Sequence, residues 1–169
     1  TEATIRFYND ASYNTIKYCT LQGVSLSSGT QGIVTFAGGS VTGNINNTID
    51  NNNITGISDS KRHILGVYSV GSSKSVANKN LTISNNNFYN LYHRGGDSWN
   101  IYFGNYTTDC TVTNNSFYET NEFTPTSNAK YTNIYISNTS GVNFTVSNNF
   151  IGGNAPLCNG LMSVNSSYS

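Results

Sequence analysis

Asn47-Thr-Ile-Asp-Asn-Asn-Asn-Ile-Thr-Gly56 is one of five versions of a single ten-residue phrase. The others are Asn14-Thr-Ile-Lys-Tyr-Cys-Thr-Leu-Gln-Gly23, Leu81-Thr-Ile-Ser-Asn-Asn-Asn-Phe-Tyr-Asn90, Cys110-Thr-Val-Thr-Asn-Asn-Ser-Phe-Tyr-Glu119 and Phe144-Thr-Val-Ser-Asn-Asn-Phe-Ile-Gly-Gly153. Aligned on Ile16, Ile49, Ile83, Val112 and Val146, every copy has Thr one residue before the anchor. Each has a large apolar residue five after it: Leu21, Ile54, Phe88, Phe117 and Ile151. Four copies carry Asn three residues after the anchor, at Asn52, Asn86, Asn115 and Asn149, and Cys19 takes that place in the first. Successive anchors are 33, 34, 29 and 34 residues apart. Self-similarity at such a period marks an architecture of stacked units.

A second segment recurs between the copies, anchored on Ile5, Val34, Val67, Ile101, Ile134 and Leu161 at spacings of 29, 33, 34, 33 and 27 residues. Its alternation has the period of a strand, with Ile101 and Phe103 inward and Tyr102 outward. In the phrase itself, Ile49, Asn52 and Ile54 cannot all point inward along one strand. A bend is therefore predicted between 49 and 52, at Asn residues that tolerate left-handed backbone. Each phrase then reads as two short strands joined at a corner, and each coil as three. Stacked coils would bring Asn52, Asn86, Asn115 and Asn149 to one strand spacing, ~4.8 Å, as an internal ladder whose amides satisfy one another. Variable loops are expected at 25–32, 38–46, 57–63, 71–80, 91–98, 105–109, 121–130 and 138–143, where Gly, Ser, Asn and Thr concentrate.

Eight basic and eight acidic residues cancel, and only 9% of the 169 residues are charged. This balance argues against nucleic acid as a partner. No apolar run approaches the ~18–20 residues that span a bilayer, so no membrane insertion is expected. Twelve Tyr and eight Phe favour a folded, β-rich chain. Cys19, Cys110 and Cys158 are odd in number and lack metal-ligand spacing, so they read as small buried residues, and no metal or other cofactor is expected.

The phrase Asn-x-Ile-x-x-Asn-x-Ile at this spacing resembles the parallel β-helix repeat of the pectate-lyase-like superfamily. Asn47-Thr-Ile-Asp-Asn-Asn-Asn-Ile, with Thr4 to Cys19 before it, is similar to repeat regions of large secreted proteins of the Bacteroidetes type. The resemblance implies an all-β, right-handed parallel β-helix with three parallel sheets, and secretion or display on the cell surface. With the anchors above it gives a single β-helix domain over 1–169 of five to six coils, read as a piece of a longer polypeptide. Both ends are expected to expose core and unpaired backbone, and so to take flanking coils or to associate end to end.

Three faces are candidates for function. Tyr68, Tyr102 and Tyr135 each follow an inward anchor and should stack outward, with Trp99 at the edge, as a ligand-binding surface for a polysaccharide or surface glycan. His63, Asp97 and Lys130 each lie four residues before an anchor, with Lys61, Arg62, His93 and Arg94 alongside. They are the weak catalytic candidates of a lyase or hydrolase, against which stands the absence of clustered acidic residues at that register. Thr15, Thr48, Thr82, Thr111 and Thr145 form a third file, which resembles that of an ice-binding solenoid. The expectation that leads is a non-catalytic structural or adhesive module, with the carbohydrate-active enzyme fragment and the ice-binding solenoid as alternatives.

Overall fold

The computed structural model describes residues 3–24 and 31–165, so most of the loop expected at 25–32 lies outside the described residues. Three five-stranded parallel sheets wind into a β-solenoid. Sheet one contains β1 (Ile5–Phe7), β4 (Val34–Phe36), β7 (Leu65–Ser69), β11 (Ser98–Phe103) and β15 (Tyr131–Ile136). Sheet two contains β2 (Thr15–Lys17), β5 (Thr48–Asp50), β9 (Thr82–Ser84), β13 (Thr111–Thr113) and β16 (Thr145–Ser147). Sheet three contains β3 (Thr20–Gly23), β6 (Asn53–Gly56), β10 (Asn87–Tyr89), β14 (Ser116–Tyr118) and β17 (Phe150–Ile151).

The register follows the repeat. Ile16, Ile49, Ile83, Val112 and Val146 are successive partners across sheet two. Leu21, Ile54, Phe88, Phe117 and Ile151 are partners across sheet three. Ile5, Val34, Val67, Ile101 and Ile134 do the same in sheet one. Apart from Val146 and Ile151, which are exposed, these three columns meet in one core, where like residues stack on like, as in the nearly parallel rings of Phe88 and Phe117 4.9 Å apart. Each fully buried Ile, Val or Phe contributes about 1.5–3 kcal/mol relative to exposure.

The bend expected between anchor and ladder residue is present. Asn51, Asn85, Asn114 and Asn148 take φ between 53° and 56°, and Tyr18 takes 57° in the first coil. A second left-handed corner, at Tyr13, Asn46, Asn80, Asp109 and Asn143, leads into sheet two. The ladder is also present. The Nδ2 groups of Asn52, Asn86 and Asn115 each donate to Oδ1 of the next Asn at 3.0 Å. The same oxygens accept the backbone N–H of the preceding Asn, at 2.9, 2.9 and 3.0 Å. The Nδ2 groups of Asn52, Asn86, Asn115 and Asn149 also donate to a backbone carbonyl one coil back, of Ile16, Ile49, Ile83 and Val112 in turn. Cys19 enters the first rung through its backbone N–H, which donates to Asn52 Oδ1.

Four differences from the sequence reading have physical causes. Five strands per sheet make about four turns, rather than five to six coils. The sixth anchor, Leu161, lies outside any strand and is exposed, because left-handed residues at Leu157, Cys158 and Gly160 redirect the chain after β17. Val164 then bridges to Phe123 instead of extending sheet one. Second, two segments read as loops are ordered by further polar stacking. β8 (Asn78–Lys79) pairs with β12 (Thr107–Thr108), and Asn44 donates through Nδ2 to Asn78 Oδ1 at 3.0 Å. Third, only Cys110 is buried; Cys19 lies in the end coil and Cys158 in a 3₁₀ turn, Pro156–Cys158, and both are exposed. Fourth, the two ends differ: Phe7, Ile16 and Leu21 of the first coil are buried, whereas their partners in the last, Ile136, Val146 and Ile151, are exposed, and Ile5 and Ile134 are partly buried at either end.

Candidate binding face

Sheet one aligns its outward residues in a file: Arg6, Thr35, Tyr68, Tyr102 and Tyr135 are successive partners. Period-two alternation puts these side chains opposite the core anchors beside them. The three tyrosines form a continuous aromatic strip, with centroids 5.3 Å apart for Tyr68–Tyr102 and 5.2 Å for Tyr102–Tyr135. Trp99, on β11, stands edge-on to Tyr102 at 5.8 Å and tilts against Tyr135 at 6.2 Å. Among the described residues, no side chain hydrogen-bonds the hydroxyls of Tyr68, Tyr102 or Tyr135. Partial burial raises the Tyr68 pKa, with Tyr102 adding to the effect, so its O–H is a donor at neutral pH.

A shallow groove of about 450 Å³ runs beside the strip, lined by Tyr68, Val70, Tyr102, Asn105 and Ser137. Gly104 keeps its floor open. A Cβ there would come 2.6 Å from Val70 Cγ2 and 3.1 Å from the Tyr102 ring. Flat aromatic faces beside hydroxyl and amide groups are what a pyranose ring requires: C–H faces pack on the rings and hydroxyls find donors and acceptors.

The titratable candidates fall into two environments, His63 beneath the surface and Asp97 with Lys130 on it. His63 is buried; its Nδ1 accepts from the Leu65 backbone N–H at 3.1 Å and burial lowers its pKa to about 4, leaving it neutral at pH 7. Asp97 is exposed, and its Oδ1 accepts the backbone N–H of Lys130 at 2.8 Å, which ties two successive loops together. Lys130 is exposed as well. The Asp97 carboxylate is thus engaged by backbone, while the His63 imidazole lies beneath the surface.

The charged group that the structure does assemble lies next to them. Arg62, buried, is ion-paired with buried Glu119, and its Nη2 is 2.6 Å from Asp59 Oδ1. Arg94 Nη1 reaches Asp59 Oδ2 at 3.4 Å, and the Arg62 guanidinium lies 4.8 Å from the centroid of Phe123. Burial raises the Glu119 pKa while Arg62 and the Tyr92 N–H pull against it. Every carboxylate in the group is matched by a guanidinium, so its evident work is to clamp the loops of three coils. Neither Glu119 nor Asp59 was a site candidate from the sequence; Glu119 closes the fourth phrase, where other copies end in Gly or Asn. Among the described residues no cluster of His, Cys, Asp and Glu could hold a metal ion.

The threonine file is in register across all of sheet two. Its neighbouring file is broken by Lys17 and Asp50, which pair at 2.9 Å. Burial pushes the Asp50 pKa up, but Lys17, Asn85, Ser84 and Asn51 outweigh it and hold the carboxyl well below its usual range.

No protein-family model, no curated protein and no solved structure matches the chain. The comparisons thus lend no support to the expected pectate-lyase-like family, while the parallel solenoid stands on the strand register.

Proposed function

We propose that the protein is a non-catalytic, adhesive β-helical module that binds a polysaccharide or surface glycan through the Tyr68–Tyr102–Tyr135 face, with Trp99 at its margin. The observation that carries this reading is the unbroken aromatic strip, three rings at about one strand spacing with a polar groove alongside. Kinship with the pectate-lyase-like superfamily and with Bacteroidetes-type surface proteins is part of the proposal, as is an extracellular location. The repeated phrase supports both.

The test is a glycan array followed by titration calorimetry on the ligands it returns. Tyr102→Ala, which removes the central ring, weakens binding about tenfold, in line with the ~0.5–1.5 kcal/mol of an aromatic contact plus its buried area. An array without signal, or affinity that Tyr102→Ala leaves unchanged, overturns the reading. So does turnover of uronate polysaccharides, followed by unsaturated-product absorbance and reducing ends, if Asp97→Ala abolishes it.

A further inference from the structure

Sheet three carries an outward file of its own, in which Gln22, Thr55, Tyr89 and Tyr118 are successive partners. Tyr89 and Tyr118 stack with centroids 5.2 Å apart and planes within 14° of each other. Nearly parallel rings on neighbouring strands each have one face covered by the other. The second face of Tyr89 is therefore turned towards Thr55, where the file changes from a ring to a small side chain. The stack stops there, and a cavity of about 230 Å³ takes the next place beside Tyr89.

The cavity is built by the turn that follows β6. The Ile57 N–H donates to the Lys61 carbonyl at 2.9 Å, which brings residues 61 and 62 back beside the strand. Gly56 permits the approach, since a Cβ there would come 2.8 Å from the Asn90 carbonyl oxygen and 3.1 Å from Arg62 Cα. Ile57 and Asp59 of the turn, with Gln22 and Asn90, complete the lining.

Asp59 is held by Arg62 Nη2 at 2.6 Å and Arg94 Nη1 at 3.4 Å, yet its side chain is 57% exposed. A carboxylate offers about four acceptor positions, so two are left for donors from outside the chain. Among the described residues no side chain hydrogen-bonds the Gln22 amide. The volume is below the ~300–1,000 Å³ of drug-sized pockets, which limits the occupant to about one ring. A pyranose uses every part of this lining: a C–H face for Tyr89, and adjacent hydroxyls for Asp59 and Gln22. A purely aromatic ring would stack equally well and leave the carboxylate without donors. An acidic sugar would bring like charge against Asp59.

We infer that this cavity is a second carbohydrate site, separate from the strip on sheet one, and that it takes a single neutral pyranose unit. The sugar ring continues the Tyr118–Tyr89 stack by one place, and adjacent hydroxyls donate to the Asp59 carboxylate.

Amide proton–nitrogen correlation spectra of the 169-residue chain test this. The probes are the methyl β-pyranosides of glucose and galactose, methyl α-mannopyranoside, and caffeine, which is flat and has no hydroxyl. At least one glycoside should shift the amides of Ile57, Ser58 and Asn90 with millimolar affinity, and caffeine should not. Tyr89→Leu keeps an apolar side chain without the ring face, and Asp59→Asn keeps the shape without the charge. Each weakens binding about tenfold or more. Gln22→Ala, at an exposed position, weakens it about threefold or more and serves if either of the others fails to fold. The Trp99 indole signal stays fixed and Tyr102→Ala changes nothing, so failure of this cavity and failure of the strip read out separately. The inference is overturned if no glycoside shifts these amides, or if the shifts centre on Trp99 instead. It is equally overturned if folded variants bind as the parent does, or if caffeine binds as well as the sugars.

Discussion

Two adjacent Asn residues divide the work at four of the five corners between sheets two and three, one turning the backbone and the next forming the ladder. Asn114 supplies a left-handed backbone that other side chains adopt at a cost of ~1–2 kcal/mol. Asn115 turns inward and is fully satisfied, giving to Ile83 and Thr113 carbonyls and to Asn149, and accepting from Asn86. Asn115→Ala takes the acceptor from the Asn86 backbone N–H and from one of the two Nδ2 hydrogens of Asn86, the other still being held by the Ile49 carbonyl. Each orphaned buried group costs about 1–3 kcal/mol, so the variant should lose about 3 kcal/mol in urea unfolding with the slope unchanged. His63 gives the protein a pH response at the same scale. Its folded pKa, about 4, lies below the ordinary 6.5, so its contribution is fully present above pH 6.5 and is lost as pH falls towards 4. The gap is worth about 3 kcal/mol. The thermal midpoint should drop across that window, and His63→Gln should flatten the drop.

At the scale of elements, the strands that carry the repeat were legible in the sequence because their anchors, corners and ladder residues are set by neighbours one coil away in identical register. Tyr68, Tyr102 and Tyr135 were legible for the same reason: an outward residue beside a known inward anchor has only one face to occupy. The loops were not. The Arg62–Glu119 pair joins residues 57 apart in sequence, at positions that no repeat equates. β8 and β12 were hidden because two-residue strands leave no alternation to read. The ion pair has a distinctive signature. Glu119→Ala leaves a buried guanidinium with only Asp59, itself more than half exposed, as counter-charge. The cost should be about 3–5 kcal/mol by thermal or denaturant unfolding. Replacing both partners, Arg62→Met with Glu119→Leu, should recover most of it, since buried pairs are often matched by well-packed apolar residues. A double variant as unstable as the single one would show that the clamp needs charge and not just filling.

For the whole molecule, the periodic signal overcounted turns because the sixth anchor has the composition of a strand without its backbone path. Leu161 follows Gly160 at φ 70° and faces solvent. The difference between the ends was equally hidden, since a repeat assigns the first and last coils the same residues at the same positions. What distinguishes them is which other parts of the chain fold over them, and that is a tertiary property.

The pitch of the winding has a consequence for what such a body is good for. Neighbouring strands in a sheet are about 4.8 Å apart, so four turns rise only about 19 Å. The same 169 residues in one α-helix would reach ~250 Å. Each increment of height thus consumes some thirty residues, nearly all of them laid around the perimeter. A chain wound in this way is a poor spacer and a generous wall. Its yield per residue is lateral area, rigid and indexed at the strand spacing, on which a row of rings can be held at a repeat that a flexible loop could not keep.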